Sequence, residues 1–274
     1  AKNRYPLDIL HGFTYNVKNE VSLFDRISRA KNNEDLKSFG VKKDRFDTIK
    51  EGAFIFKTIL DELNIEEVVT SGVGVREGVY LTDLLRTSNH KFPENYNVSV
   101  RSLLDRFQID EKQSAYLGNN AKKIFDALKP FHNLEDKYRE LLVVASKLHS
   151  IGSTLNFYKS NDNAFDFILN GLNYDFLHTS RVVVAHTIKF SKKSLPSRSE
   201  ISQYEELLPS LRVMQWMSFM ISLNLAVNQD FSRPKVEYRL EDEELTIILP
   251  NRSFLIESNI DKLESPEDLT IKIL

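Results

Sequence analysis

Cysteine is absent from all 274 positions, which removes disulfides, thiolate catalysis and zinc–cysteine sites together. Excess charge is lacking too: 37 basic against 39 acidic residues leave a net charge of −2, so the whole chain is not built to coat nucleic acid. There is no long uninterrupted apolar run. The strongest one, Leu211 to Val227, is broken by Arg212, Gln215, Ser218, Ser222 and Asn224, which marks a buried helix and not a membrane span. No secretory signal opens the sequence, and cytoplasm is the default expectation. Opening on Ala1 suggests an excised or processed segment. Internal repeats and low-complexity tracts are also missing. With 41% hydrophobic and 28% charged residues the chain can bury a core, and its length predicts two or three domains.

Residues 1–90 read as mixed α/β. Leu10 to Tyr15 suggests a short strand and Glu20 to Ala30 a helix. A longer helix is expected from Lys43 to Leu63, since Phe46, Ile49, Ala53, Phe56, Leu60 and Leu63 recur at spacings of three and four. Gly52 within it is disfavoured by about 1 kcal/mol relative to alanine, which suggests close backbone packing there. Val68-Val69-Thr70 predicts a buried strand that feeds a glycine loop, Ser71 to Gly78, and then an apolar segment.

His90 to Asn95 reads as a linker. Helices are predicted at 98–107, 111–127, 135–149, 161–170, 175–189, 199–207 and 210–227, with turn signals at Pro130, Gly152, Gly171 and Pro196. Beyond Pro234, the stretches 235–240, 245–249, 253–257 and 269–274 predict a small antiparallel β unit with a hairpin turn at Asp242-Glu243-Glu244. The stripe Met214, Trp216, Met217 and Met220 is expected in the core.

Strand, glycine loop, helix is a general way to present backbone N–H groups and a helix N-terminus to phosphate. Arg76 strengthens that reading with a guanidinium suited to bidentate phosphate binding; the alternative is an Arg76–Glu77 or interdomain salt bridge that only fixes the loop. Thr70-Ser71-Gly72-Val73-Gly74-Val75-Arg76-Glu77-Gly78-Val79 closely resembles the "SG-x-G-x-REG" signature of the Ppx/GppA phosphatases. Arg45-x-Asp47-x-Ile49-x-x-Gly52 resembles that family's "R-x-D-x-I-x-x-G" run. Pro6-Leu7-x-x-Leu10-His11-Gly12 is similar to the segment after its "GGT" phosphate loop. Leu148-His149-Ser150-Ile151-Gly152 looks like the degenerate His-Asp helix of its third domain.

The resemblance implies a mainly α fold with α/β parts. Residues 1–90 would be the C-terminal part of an actin-like (RNase H-like) second domain, 91–232 an all-helical HD-like domain, and 233–274 a small β-rich α+β domain. It implies a bacterial exopolyphosphatase or guanosine pentaphosphate phosphohydrolase of which this is the C-terminal part. Catalytic residues and Mg²⁺ ligands would then lie in an absent N-terminal half, with no catalytic residue, metal or cofactor in this fragment, which alone would be inactive. Ser71, Gly72, Gly74, Arg76, Glu77 and Gly78 would form a substrate-binding or interdomain loop.

A metal-dependent HD hydrolase is a rival reading. It needs an Asp where Ser150 stands, and His186 with Asp162 or Asp166 does not restore the broken pair. Adjacent carboxylates at Asp61/Glu62 and Glu205/Glu206 point in different directions and read as solvated surface.

Between Phe176 and Ser199 no acid occurs, whereas 39 acids in 274 residues would place about three there. Arg181, His186, Lys189, Lys192, Lys193 and Arg198 are therefore candidates for a polyanion groove, or for a plain solvated basic face. The expected partner is polyphosphate or guanosine pentaphosphate, with no membrane and no specific nucleic acid. A non-enzymatic polyanion-binding module, or a homodimer through the helical domain, is the alternative.

Overall fold

A computed structural model describes residues 10–92, 97–251 and 253–274. The start of the chain, Pro6 and Leu7 of the first motif, and Pro93 to Asn95 of the expected linker lie outside these residues. The chain divides into two compact units, one of residues 10–74 and one that begins at Val75.

The first unit holds β1 (Thr14–Asn16), α1 (Val17–Arg29), α2 (Asn33–Ser38), α3 (Ile49–Glu62) and β2 (Glu67–Val69). β1 and β2 run antiparallel, with Thr14 opposite Val69 and Asn16 opposite Glu67. The helices start where side chains can satisfy open N–H groups. Asn16 accepts from the Lys18 N–H at 2.9 Å, and Asn32 from that of Asp35 at 2.9 Å. Ile27, Ala30, Leu36 and Ala53 make the core, with Leu23, Phe24, Phe46 and Ile49 packed against it.

Three expectations change here. The strand begins at Thr14, because Leu10 to Gly12 forms a turn in which Gly12 takes a φ of 78°. The long helix is split: Lys43–Arg45 is a separate 3-10 turn, and α3 starts at Ile49. Gly52 is exposed, with nothing within 4 Å of the position of a Cβ, so close packing does not explain it.

The second unit begins with α4 (Val75–Leu84) and α5 (Val98–Arg106). It continues through α6 (Glu111–His132), α7 (Asp136–Leu148), α8 (Ser160–Gly171), α9 (His178–Lys189), α10 (Arg198–Ile201) and α11 (Leu211–Val227). It closes with β3 (Glu237–Glu241), β4 (Glu244–Ile248), α12 (Phe254–Ile260) and β5 (Thr270–Ile273). α11 packs against α6, α7 and α9. Met214, Trp216, Met217 and Met220 are all fully buried, as the stripe predicts. α6 runs through Pro130 and ends at Asn133, whose φ of 49° closes it and whose N–H reaches the Lys129 carbonyl at 3.0 Å. The proline sits in the last turn, where one lost hydrogen bond does not stop the helix.

The C-terminal sheet has the order β3-β4-β5 and is mixed, not antiparallel: β3 and β4 form the hairpin, and β5 lies parallel to β4. The stretch read as a strand at 253–257 is instead α12. Ser253 caps it by accepting from the Ile256 N–H at 3.5 Å, and Ile256 and Ile260, four residues apart, are both buried. This sheet is tied to the helices within one unit. Tyr116 donates its hydroxyl to the Pro234 carbonyl at 2.8 Å, Asn120 donates to the Tyr238 hydroxyl at 2.9 Å, and the Arg212 guanidinium pairs with Glu267.

Candidate functional site

β2 delivers the chain into the glycine loop. Thr70 N–H donates to the Phe13 carbonyl at 2.8 Å, and Gly12 N–H to the Thr70 carbonyl at 2.9 Å. Ser71 folds the turn on itself: its hydroxyl donates to the Val73 carbonyl at 3.0 Å and accepts from the Val73 N–H at 3.2 Å. Gly72 N–H donates to Nδ1 of His11 at 3.1 Å. A Cβ on Gly72 would lie 2.9 Å from the His11 Cβ. Two motifs sixty residues apart thus meet within the first unit, and this contact is what requires glycine at 72. The Gly72 and Val73 N–H groups are already engaged by the protein itself.

Gly74 ends the first unit, and Arg76, Glu77 and Gly78 lie in the first turn of α4, all exposed. The partial positive charge of that helix end and the Arg76 guanidinium together favour an anion. Gly78 has open space where a Cβ would stand. Arg76 and Glu77 line a crevice of about 420 Å³ with Tyr80, Leu81, Leu84, Phe92, Val98 and Tyr174. Sequence reasoning missed this crevice. The available signal was Tyr80, four residues after Arg76 and so on the same face of the helix.

The basic window does not assemble as expected. Arg181 is fully buried in α9, and His186 is 1% exposed, so neither reaches a surface groove. Nδ1 of His186 faces the Val182 carbonyl at 2.8 Å, and the ring stands edge-on to Phe165 and Tyr204. Burial pushes its pKa down to about 4, so it carries no charge at neutral pH. Lys189 is half-buried, with its ammonium 4.5 Å from the Phe165 ring centre.

Lys192, Lys193 and Arg198 are exposed, but acids absent from the window in sequence return in space. Arg198 pairs with Glu205 at 3.3 Å. Glu264 accepts from the Leu195 N–H at 2.9 Å, and its own N–H reaches the Lys193 carbonyl at 2.8 Å. The Glu200 carboxyl is held below its usual range, first by the Ser197 N–H and hydroxyl, with Lys192 and Lys189 adding to it.

At the degenerate His-Asp element, α7 has already ended. His149 opens a 3-10 segment, His149–Thr154, with Nδ1 facing the Ser146 carbonyl at 3.1 Å, and burial lowers its pKa. Among the described residues no three His, Asp or Glu side chains gather to hold a metal ion. Nor, among these residues, is any helix long and apolar enough to cross a membrane.

Comparison with known families decides the assignment. Residues 2–87 match the model of the Ppx/GppA phosphatase family, and residues 97–264 match that of Ppx/GppA phosphatase, domain III. The chain belongs to the Ppx/GppA phosphatase family. The domain III match continues through β3, β4 and α12, in keeping with the tie between sheet and helices. Among curated proteins the Ppx/GppA chain is similar to the guanosine-5′-triphosphate,3′-diphosphate pyrophosphatase of Photobacterium profundum. The two are 26% identical over 168 residues, 61% of this chain and 33% of the relative. The chain thus spans about a third of the length of that relative.

Proposed function

We propose that this chain supplies one wall of a phosphoanhydride hydrolase that removes terminal phosphate from guanosine pentaphosphate, inorganic polyphosphate or both. The observation that carries the reading is Arg76, exposed in the first turn of α4 at the end of the Thr70–Val79 motif. Family membership supports the reaction class, and the printed name of the Photobacterium relative supports a guanosine polyphosphate. Phosphoryl transfer depends chiefly on positioning, charge neutralisation and an oriented water. Arg76 and the first N–H groups of α4 can contribute the first two, by holding non-bridging phosphoryl oxygens as charge develops on them.

On this reading residues 1–90 are the C-terminal part of an actin-like domain, and residues 91–232 are an HD-like domain that lacks the Asp of a metal site at Ser150. Orientation of the water, and the carboxylates that bind Mg²⁺, fall to residues outside the chain. The chain alone with Mg²⁺ and guanosine pentaphosphate or polyphosphate is expected to release no phosphate. Turnover that survives rigorous purification would show the reading of an incomplete site to be wrong.

A second role has a specific observation behind it: Lys192 and Lys193 are exposed on one turn after α9. They can hold a polyanion by counterion release, with Lys189 and Arg198 beside them in sequence. Charge reversal at Lys192 and Lys193 is then expected to weaken long-chain polyphosphate binding. Unchanged binding would reduce them to a solvated basic face.

A further inference from the structure

The segment between Gly152 and Ser160 turns its apolar side chains outward. Leu155 is 68% exposed, Phe157 77% and Tyr158 95%. One exposed apolar side chain is ordinary, but a cluster of neighbouring ones marks a surface that meets something. The segment is held at both ends. Gly152 lies so close to Ser160 and Ala164 that a Cβ would collide with their backbone. Its carbonyl accepts from Asn163 Nδ2 at 3.2 Å. Asn156 uses its side chain within the turn, accepting from the Tyr158 N–H at 2.9 Å. The tip that remains is apolar and its backbone is fixed.

Positive charge gathers at its foot. Asn161 donates from Nδ2 to the Ser191 carbonyl at 3.2 Å and to the Ser191 hydroxyl at 3.1 Å, which ties the tip to the turn that carries Lys192 and Lys193. Lys159, Lys192 and Lys193 are all exposed, and among the described residues none of them forms a salt bridge. Two neighbouring acids are already engaged: Glu200 accepts from the Ser197 N–H and hydroxyl, and Glu264 from the Leu195 N–H. A third, Asp162, is exposed in the first turn of α8.

Aliphatic and aromatic side chains on a fixed tip, with lysines at its base, match the face of an anionic lipid bilayer. The apolar groups suit the boundary between headgroups and acyl chains, and ammonium groups suit headgroup phosphates. Single-stranded nucleic acid fits less well. The Phe157 and Tyr158 rings stand edge to face, 5.9 Å between centres and 81° between planes, so they offer successive bases no parallel platform. Leu155 has no ring to stack.

We propose that this tip docks the chain on anionic lipid: Leu155, Phe157 and Tyr158 enter the interface, and Lys159, Lys192 and Lys193 meet the headgroups. The chain lies on the bilayer and does not cross it, which departs from the sequence expectation of no membrane partner. Lys192 and Lys193 are shared with the polyanion role above. The tip separates the two, because inorganic polyphosphate has no apolar part for Phe157 and Tyr158 to cover.

The test is co-sedimentation of the 274-residue chain with phosphatidylcholine vesicles, with and without phosphatidylglycerol. Binding is expected to be about tenfold tighter to the anionic vesicles and to weaken as salt rises. Phe157→Ser combined with Tyr158→Ser, at positions too exposed for folding to depend on them, is expected to cost about tenfold on those vesicles. The same variant should bind inorganic polyphosphate unchanged. Lys192→Glu combined with Lys193→Glu should weaken vesicle binding as well. Phe157→Trp should shift its emission to shorter wavelength on anionic vesicles, against the constant background of the buried Trp216.

Equal binding to both kinds of vesicle overturns the proposal, and so does binding that ignores Phe157 and Tyr158. Oligouridine bound more tightly than the vesicles, through the same two rings, overturns it in favour of a nucleic-acid platform. A concentration-dependent dimer that the double serine variant dissolves assigns the tip to a second copy of the chain instead.

Discussion

Gly72 and His11 touch: the Gly72 N–H donates to Nδ1 of His11 at 3.1 Å, and a Cβ at 72 would come within 2.9 Å of the His11 Cβ. That contact fixes where the motif loop leaves β2. Gly72→Ala is therefore expected to destabilise the first unit by about 1–3 kcal/mol, the range for overpacking. Combining it with His11→Gly, which removes the opposing carbon, should cost less than the sum of the two single changes. Urea unfolding of the four proteins checks this, and strict additivity would show that the contact is not the constraint.

Gly152 sits in a tighter place. A Cβ there would stand 1.8 Å from the Ser160 carbonyl oxygen and 2.5 Å from the Ala164 nitrogen, and both are backbone atoms of α8. No side chain can move aside, so the helix itself must shift. Gly152→Ala is expected to cost more than about 3 kcal/mol and to lower the melting temperature sharply.

Gly52 has the opposite character. It is exposed in α3 with nothing near its missing Cβ, so Gly52→Ala should stabilise the chain by up to about 1 kcal/mol. A loss of stability would mean that something packs on that face in solution.

The same contrasts show what could be read from the sequence. α5 to α9 and α11 follow apolar periodicity, and α11 and its methionine stripe lie where periodicity puts them. The Arg76 loop was legible because its residues form a motif. Arg181 and His186 were misread because Val182 to Ala185 make α9 apolar all round, and such a helix is buried on every face. The acids that answer Arg198 and the 192–195 turn lie at Glu205 and Glu264, and only folding brings the second of these close. α12 was hidden because five residues of mixed pattern suit a strand as well as a helix, until the Ser253 cap is given its due. The crevice joins α4 to residues 98 and 174, and no local pattern carries that junction.

Histidine burial sets a pH dependence. His132 and His186 are both pushed down to about 4, chiefly by burial, from an ordinary value near 6.5. The unfolded chain therefore takes up these protons more readily than the folded one. Stability is full above about pH 6.5 and falls as pH drops toward 4, by up to about 3 kcal/mol for each residue. Asp126, Glu200 and Glu267, whose carboxyls are held low by Arg139, Ser197 and Arg212, act in the same direction at lower pH. Histidine titration by NMR should find both rings neutral at pH 5.5. Midpoints near 6.5 would contradict their burial.

The central claim is that Arg76, at the start of α4, faces phosphate. Equilibrium binding of inorganic tripolyphosphate to the chain and to Arg76→Ala tests it most directly, with unfolding curves to show that both are equally folded. The account predicts that the variant loses about tenfold or more in affinity, as expected for a charge-assisted contact, with no change in unfolding midpoint. Equal affinity in two equally stable proteins would contradict it.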